Sequence, residues 1–318
     1  LLYGATGALN MADLAQRLAG REAEAAVLAP AWLLAFALGA KAGLFPLFFW
    51  LPASYHTPSV TVSALFSALV TKVAVYALLR VFTLILPLEA VPGLQPLMLV
   101  VACLTMVVGV LGAAAQDVVR RILAFHIVSQ IGYMVLGLAL YSGPALAGGL
   151  FYMVHNIVAK TNLFLTGGIA ARLCGSESLG RMGGLWAARP GLSLLFLLSA
   201  LAMAGVPPLT GFWAKFFLVR ESLVTGHALA AALALGVGLL TLYSMTKIWA
   251  EAFWKPHPGD ASLDARVPMT LRAPAFTLAL MLVAGGLWIA PVYAAMEAAA
   301  AQMLDPAAYI AAVLGPRP

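Results

Sequence analysis

The sequence predicts an all-α fold: a polytopic bundle of membrane helices with inverted repeats, in which proline breaks two of the helices. The first supporting observation is composition. Hydrophobic residues make up 63% of the 318 residues, charged residues make up only 9%, and the mean hydropathy is +0.98. A soluble domain carries about 25% charged residues, so this composition indicates a membrane protein. The second observation is a row of long apolar segments, and the third is a proline motif that occurs twice.

Eight apolar segments are long enough to cross a bilayer, which takes about 20 helical residues. They lie at 27–50, 62–86, 97–115, 122–141, 145–171, 191–219, 229–249 and 273–294. Residues 1–10 are expected to be the end of a truncated membrane helix. We expect residues 27–86 to end a first inverted repeat, 97–249 to form a second, and 273–318 to hold a C-terminal membrane helix and tail.

The charges orient these segments. Lys and Arg number 18 against 12 Asp and Glu, an excess that in a membrane protein positions loops, so a nucleic-acid partner is not expected. The larger basic set, predicted to be cytoplasmic, is Arg120, Arg121, Arg172, Arg181, Arg189, Lys255, Arg266 and Arg272. The smaller set, predicted to lie outside, is Arg17, Arg21, Arg80, Arg220 and Arg317. The two cysteines have no metal-binding spacing, and we expect no catalytic residues, cofactor or metal site.

The proline motif links two distant segments. Residues 40–47 (Ala-Lys-Ala-Gly-Leu-Phe-Pro-Leu) and 202–209 (Ala-Met-Ala-Gly-Val-Pro-Pro-Leu) agree at five of eight positions. Proline removes a backbone hydrogen bond and clashes with the preceding turn, so Pro46 and Pro207–Pro208 are predicted to break their helices. Broken helices at corresponding places of inverted repeats indicate a transport site. The alternative is a pair of proline kinks that serve only packing.

Lysines lie deep in four of the apolar segments. Lys41, Lys72 and Lys160 are central, where an unpartnered charge costs several kcal/mol and is usually functional. A charge that only holds helices together is the alternative for these three. Lys215 is nearer a segment end, which leaves snorkelling and function equally open, whereas Lys247 is expected to snorkel. A lysine suits proton transfer because burial favours its neutral amine. No Asp or Glu is central in these segments, so an acidic partner must come from elsewhere.

Two groups of polar residues accompany the lysines. One predicted helix carries four at i, i+3, i+4 and i+7, which places them on one face. They are His126, Ser129, Gln130 and Tyr133. Histidine titrates near neutral pH and can relay protons, although the group could equally be an interhelical hydrogen-bond patch. In the next segment His155 and Lys160 are five residues apart and share no face of an ideal helix, while Asn156 lies beneath Lys160.

Five stretches of the chain resemble a known family. They are residues 41–52, 69–80, 120–133, 155–160 and 205–215, and they are similar to the proton-translocating antiporter-like subunits of respiratory complex I and of Mrp-type sodium/proton antiporters. The phrases Phe-His-Ile-Val-Ser-Gln-Ile-Gly-Tyr (125–133) and Val-Thr-Lys-Val-Ala-Val-Tyr-Ala-Leu-Leu-Arg (70–80) most resemble the D-type members of the Mrp group.

The resemblance implies fourteen membrane helices, of which this chain would hold the end of the sixth through the fourteenth. It also implies a central hydrophilic axis with Lys41 and Lys215 on the broken helices and Lys72 and Lys160 between them. Lys41 would pair with a glutamate that lies outside this sequence. Many relatives carry a second histidine where this chain has Asn156, which cannot titrate, so His155 would serve alone.

The expected function is therefore proton translocation within a multisubunit Na⁺/proton antiporter of a bacterial plasma membrane. Its partners would be the other subunits, protons, Na⁺ and the lipid bilayer. One alternative is the same proton module in complex I or in a membrane-bound hydrogenase. Another is a scaffold that transports nothing, against which the retained buried charges argue, because a scaffold would gain stability by losing them.

Overall fold

The computed structural model describes residues 1–22, 24–259, 263 and 267–315, and within them the regular secondary structure is helical, with one isolated β-bridge between Val118 and Ser178. Arg266, Arg317 and the rest of the tail 316–318, for which the sequence carries predictions, lie outside the described residues. The first eight α-helices are α1 (Leu2–Thr6), α2 (Met11–Leu18), α3 (Ala25–Ala42), α4 (Trp50–Tyr55), α5 (Val60–Arg80), α6 (Leu94–Ala114), α7 (Val119–Ala139) and α8 (Gly143–Cys174). The others are α9 (Leu185–Ala188), α10 (Pro190–Ala204), α11 (Thr210–Val224), α12 (Ala228–Ile248), α13 (Met269–Leu287), α14 (Ile289–Leu304) and α15 (Ala307–Leu314).

The number of uniformly apolar spanning helices differs from the predicted eight. In the described part of the chain six helices are long and apolar enough to cross a membrane: α3, α5 with its extension, α6, α7, α12 with its extension, and α13. Two predicted spans are absent from this set. Helix α8 has the length, with 32 residues, but its interior carries His155, Asn156 and Lys160. The segment 191–219 is divided between α10 and α11, which have 15 residues each.

Both proline motifs lie in breaks of closely similar backbone geometry. Helices α3 and α10 end before Gly43 and Gly205, whose φ angles of 87° and 93° belong to the left-handed region that glycine tolerates. The Gly43 N–H donates to the carbonyls of residues 39 and 40, and the next N–H also donates to residue 39. Gly205 and the residue after it repeat this pattern on residues 201 and 202. Pro46 and Pro207–Pro208 follow in the turns, where no helical N–H is required.

The helices after the two breaks also end alike. Helix α5 continues into a π-helical turn at Val81–Ile85, and α12 continues into another at Trp249–Trp254. In a π-helical turn the hydrogen bonds reach one residue further than in an α-helix. The succession of helix, proline break, helix, long helix and π-turn therefore occurs twice along the chain.

Helix α8 occupies the centre of the bundle. It packs against α5, α7, α10, α11, α13 and α14. Small residues bring its neighbours close: a Cβ on Gly137 would lie 2.7 Å from the carbonyl oxygen of Ala145 and 2.8 Å from the Cα of Gly149. Such close backbone contact replaces the hydrophobic driving force that membrane helices lack. The polar side chains near the middle of α8, His155, Asn156 and Lys160, are buried in the bundle.

Candidate functional site: buried lysines and histidines

Lys160 is the most enclosed charged side chain of the described residues, with no exposed surface. It projects from α8, and its Nζ donates to the carbonyl oxygen of Leu123 on α7 at 3.2 Å. Lys72 on α5 is 3% exposed, and its Nζ donates to the carbonyl of Ser67 on the same helix. The charges of the two lysines act on each other. In the part of the chain that the structure describes, neither lysine forms an ion pair with an acidic side chain.

The four polar side chains on α7 do not share a single partner helix. The His126 Nε2 lies 2.5 Å from the Ser244 Oγ of α12, while the Ser129 hydroxyl donates to the Met106 carbonyl of α6 at 2.9 Å. Gln130 accepts from the Tyr152 hydroxyl of α8, and the Tyr133 hydroxyl donates to a carbonyl of α12. The four side chains thus reach three different helices. All four are fully buried; Ser129 and Tyr133 bind backbone carbonyls, whereas His126 and Gln130 contact side-chain hydroxyls.

The second break is joined to this interior by His155 and Lys215. The His155 Nδ1 lies 2.8 Å from the Oγ1 of Thr210, the first residue of α11. The Lys215 Nζ donates to the carbonyl of Ala204, the last residue of α10, at 2.7 Å. That carbonyl lost its helical partner at the break, so a lysine is a suitable replacement. The Lys215 ammonium also lies 5.6 Å from the centre of the Tyr133 ring, in cation–π range.

An aromatic pair connects the two parts of the site. The rings of Tyr133 and Tyr152 stack with centroids 4.8 Å apart, and Tyr152 meets His155 edge-on at 5.9 Å. The charges of Lys160 and Lys215 both act on His126 and on His155. Five of the six residues proposed from sequence for a proton path therefore gather around α8. Lys41 does not join them, because it is exposed at the end of α3.

Several buried polar atoms of the site have no protein partner. Within the described residues these are the Thr71 Oγ1, His126 Nδ1, Gln130 Nε2, Asn156 Oδ1 and Asn162 Oδ1. Asn156 makes one weak contact, from its amide nitrogen to the Met203 sulfur at 3.9 Å. Buried polar groups of native proteins are nearly always satisfied, and ordered water does so where side chains do not. These unpaired atoms lie on α5, α7 and α8, the helices that also carry Lys72, His126 and Lys160.

Sequence reasoning missed five residues of this region. Ser244 and Thr210 are the histidine partners, the Asn162 amide donates to the Ser199 hydroxyl at 2.7 Å, and Glu221 is a buried acid near the end of α11. Only Thr210 and Glu221 had a signal in the sequence: Thr210 directly follows the repeated motif 202–209, and Glu221 lies two residues beyond a predicted span. The described residues hold no group of three or more His, Cys, Asp or Glu that could bind a metal.

Fold and site together define a polytopic helical membrane protein whose interior carries lysines and histidines with mainly backbone and hydroxyl partners. Residues 1–241 match the family model described as NADH:quinone oxidoreductase/Mrp antiporter, membrane region. The chain belongs to this family, which confirms the resemblance inferred from its motifs.

Individual relatives of the chain support the same family assignment. The chain is 43% identical over 316 residues to a protein from Alkalihalophilus pseudofirmus that is named as the D component of a Na(+)/H(+) antiporter, an alignment that covers 98% of this chain and 63% of that protein. It is similar to a chain of the Mrp complex from a Dietzia strain, with a TM-score of 0.92 and 35% identity over 99% of this chain and 66% of that one. A chain of Thermus thermophilus respiratory complex I gives a TM-score of 0.82 at 25% identity, covering 95% of this chain and 64% of that one. The chain thus spans about two thirds of the length of its relatives.

Proposed function

We propose that this chain is the proton-translocating part of a D-type component of an Mrp Na⁺/proton antiporter, working with other subunits in a bacterial plasma membrane. The observation that carries the proposal is the enclosure of Lys160 and Lys72, which have backbone carbonyls as their only hydrogen-bond partners among the described residues. A buried ammonium without a counter-ion is costly. It is retained where a proton has to be bound and released.

Protons would pass along Lys41, Lys72, His126 and His155, Lys160 and Lys215, with water between the side chains. Ser129, Gln130, Tyr133 and Asn156 would support this route. A buried lysine suits such a route because burial favours its neutral amine. A change in a neighbouring charge can therefore make the lysine bind or release a proton. His126 and His155 interact electrostatically with both Lys160 and Lys215, which is the coupling that a relay between these lysines needs.

The backbone around the route would come from two inverted repeats, 27–86 and 97–249, with residues 273–318 as a C-terminal addition. The matching hydrogen bonds at Gly43 and Gly205 support this division, as does the π-helical turn that follows each long helix. Each break frees carbonyls within the bundle, and at the second one Lys215 binds such a carbonyl. Pro46, Pro207 and Pro208 would keep the breaks open.

The second candidate function is a redox-driven one, in which the same module works within a complex I-like enzyme. The likeness to the Thermus thermophilus chain supports it, but identity is 25% there against 43% for the antiporter component. Sodium dependence separates the two candidates. An antiporter exchanges protons for sodium without an electron donor, whereas a redox-driven module needs one.

The deciding experiment compares Lys160→Met with Lys247→Met in the full-length gene within its intact operon, in cells that lack other antiporters. Methionine has a similar length and fills the same space without charge. Lys247 is the matched control because it also lies in a membrane helix, yet it pairs at the helix end with Asp117 at 2.7 Å. Sodium-dependent proton exchange is measured in everted vesicles, and the amount of assembled complex is measured alongside.

We expect Lys160→Met to abolish exchange while the complex assembles normally, and Lys247→Met to retain most of it. Full exchange by the Lys160 variant would refute the relay. No sodium-dependent exchange by the unmodified complex, with proton movement appearing on addition of a reductant, would favour the redox-driven candidate. If Lys160→Met stabilises the complex and leaves transport unchanged, the lysine takes no part in proton transfer under either candidate function.

A further inference from the structure

Glu221 is the only acidic side chain that is buried among the residues the structure describes, with 5% of its surface exposed. It lies on α11, six residues after Lys215. The proposed route ends at Lys215 and does not use it. An ionisable residue enclosed in a membrane helix is expensive to keep, so it needs an explanation.

The surroundings of Glu221 contain no cation that pairs with it, among the residues the structure describes. Its hydrogen-bond partner there is the Ser142 hydroxyl, which donates to Oε2 at 3.4 Å, a long hydrogen bond. Ser142 is the N-cap of α8, and its Oγ also accepts from the Ala145 N–H at 3.2 Å. Arg220 is exposed and forms no ion pair in the described part of the chain. The Ser142 contact places the carboxylate by the N-terminus of α8, where the helix dipole favours a negative charge.

The other charged or titratable groups near Glu221 come from α14. Tyr293 stacks on Phe217 with ring centroids 3.9 Å apart, and it is within electrostatic range of Glu221, Arg220 and Glu297. Glu297 itself is exposed. Around Tyr293 this end of the bundle thus carries one buried acid, one exposed acid and one exposed arginine.

The position of Glu221 relative to Lys215 fits the final step of a path. Six residues of helix rise about 9 Å and turn the two side chains about 120° apart, so water molecules would have to lead the proton along and around α11. The intervening contact with α8 is through Gly148, where an added Cβ would lie 3.3 Å from the Phe217 Cβ. The α7–α8 turn and the end of α11 are on the side of the membrane that the loop charges assign to the outside, together with Arg220.

We propose that Glu221 is the outward proton-exchange group of this protein, an assignment that rests on the proposed function. An N–H bond of the Lys215 ammonium breaks, water carries the proton, and an O–H bond forms on the Glu221 carboxylate. That bond breaks in turn when the proton passes to outside water. The reverse sequence brings protons inward, and no oxidant or reductant takes part.

The test uses the assembled complex in everted vesicles, with sodium-dependent proton exchange measured from about pH 6 to pH 9 for Glu221→Gln, Glu221→Asp and Glu297→Gln. Glutamine keeps an oxygen acceptor for Ser142 and so keeps the contact with α8, but it cannot hold a proton. Aspartate titrates but is shorter by one methylene. Glu297→Gln is the matched control, an exposed acid on the adjoining helix.

We expect Glu221→Gln to lose at least about tenfold in exchange rate with normal assembly, and Glu221→Asp to recover at least about a third of the rate with a displaced pH profile. Glu297→Gln should match the unmodified complex. Full exchange by Glu221→Gln, equal inactivity of the aspartate variant, or failure of the glutamine variant to assemble would each overturn the assignment, the last two by showing an anchoring role. Failure of the unmodified complex to exchange sodium for protons would instead refute the proposed function.

Discussion

Gly211 lies where α11 crosses the end of α10, and replacing it with alanine should separate the two helices. An added Cβ would lie 1.7 Å from the carbonyl oxygen of Ala202 and 3.0 Å from the Cε1 of His155. The oxygen belongs to helical backbone and cannot rotate away. The helices must therefore move until the first distance reaches at least 3.0 Å, the limit for real Cβ contacts. A shift of that size also stretches the 2.8 Å contact between His155 and Thr210.

The energy follows from three contributions. Overpacking against rigid backbone costs about 3 kcal/mol, and the weakened histidine contact costs about 1 kcal/mol. Alanine returns about 1 kcal/mol of helix propensity relative to glycine. The net loss of about 3 kcal/mol corresponds to a melting temperature about 5 °C lower, and antiport should fall at least about tenfold because His155 is displaced.

The assay is thermal unfolding of the purified complex, followed by exchange measurements in vesicles. Gly236→Ala is the control, since nothing lies within 4 Å of a Cβ at that exposed position of α12. It should leave transport unchanged and melt at the same temperature or slightly higher. If the Gly211→Ala complex has the melting temperature and the transport rate of the unmodified complex, α10 and α11 are not in close contact at Gly211.

Three further substitutions test contacts of the bundle. Tyr133→Phe removes the hydroxyl that donates to the Ala234 carbonyl and should lower the free energy of unfolding by about 1 kcal/mol, with transport kept; lost transport would give the hydroxyl a role in proton transfer. Ser129→Ala should likewise keep most of the exchange rate in vesicles, because its hydroxyl binds the α6 backbone; inactivity would give the hydroxyl a direct part in proton transfer. Arg120→Gln breaks the ion pair with Glu177, in which the Arg120 side chain is 15% exposed and the Glu177 side chain is 30% exposed. It should lower the free energy of unfolding by about 2 kcal/mol, measured by thermal unfolding. An unchanged melting temperature would show that the pair contributes nothing to stability.

The helix breaks could be predicted because their causes are local. Gly43 and Gly205 tolerate a left-handed conformation, and the prolines that follow cannot donate to a helix. The partners of the α7 residues could not be predicted in the same way. Residues 129 and 130 are adjacent in sequence but point about 100° apart on a helix, so their partners depend on which helices pack on either side. Ser244 is 118 positions from His126, a separation that no local pattern encodes.

Burial explains the other differences between sequence and structure. Lys41 and Lys160 both lie in long apolar segments, yet only Lys160 is enclosed, since enclosure depends on six neighbouring helices rather than on the segment itself. Glu221 was overlooked because the apolar run ends before Arg220, whereas α11 continues to residue 224. The prediction of eight spans counted α8, which is polar, and the segment of α10 and α11, which is divided by a break, as ordinary apolar helices. These two exceptions carry three of the six residues proposed for the path, His155, Lys160 and Lys215.

The polarity of α8 has a consequence for how the protein is made. A helix with Lys160, His155 and Asn156 near its middle is too polar to count among the six apolar spans, so it should partition poorly into lipid on its own. The turn that joins it to apolar α7 is short, from Leu140 to Ser142. The two helices are therefore expected to leave the insertion machinery as a hairpin, with α7 carrying α8 into the bilayer. The residues proposed for proton transfer would thereby make membrane insertion cooperative.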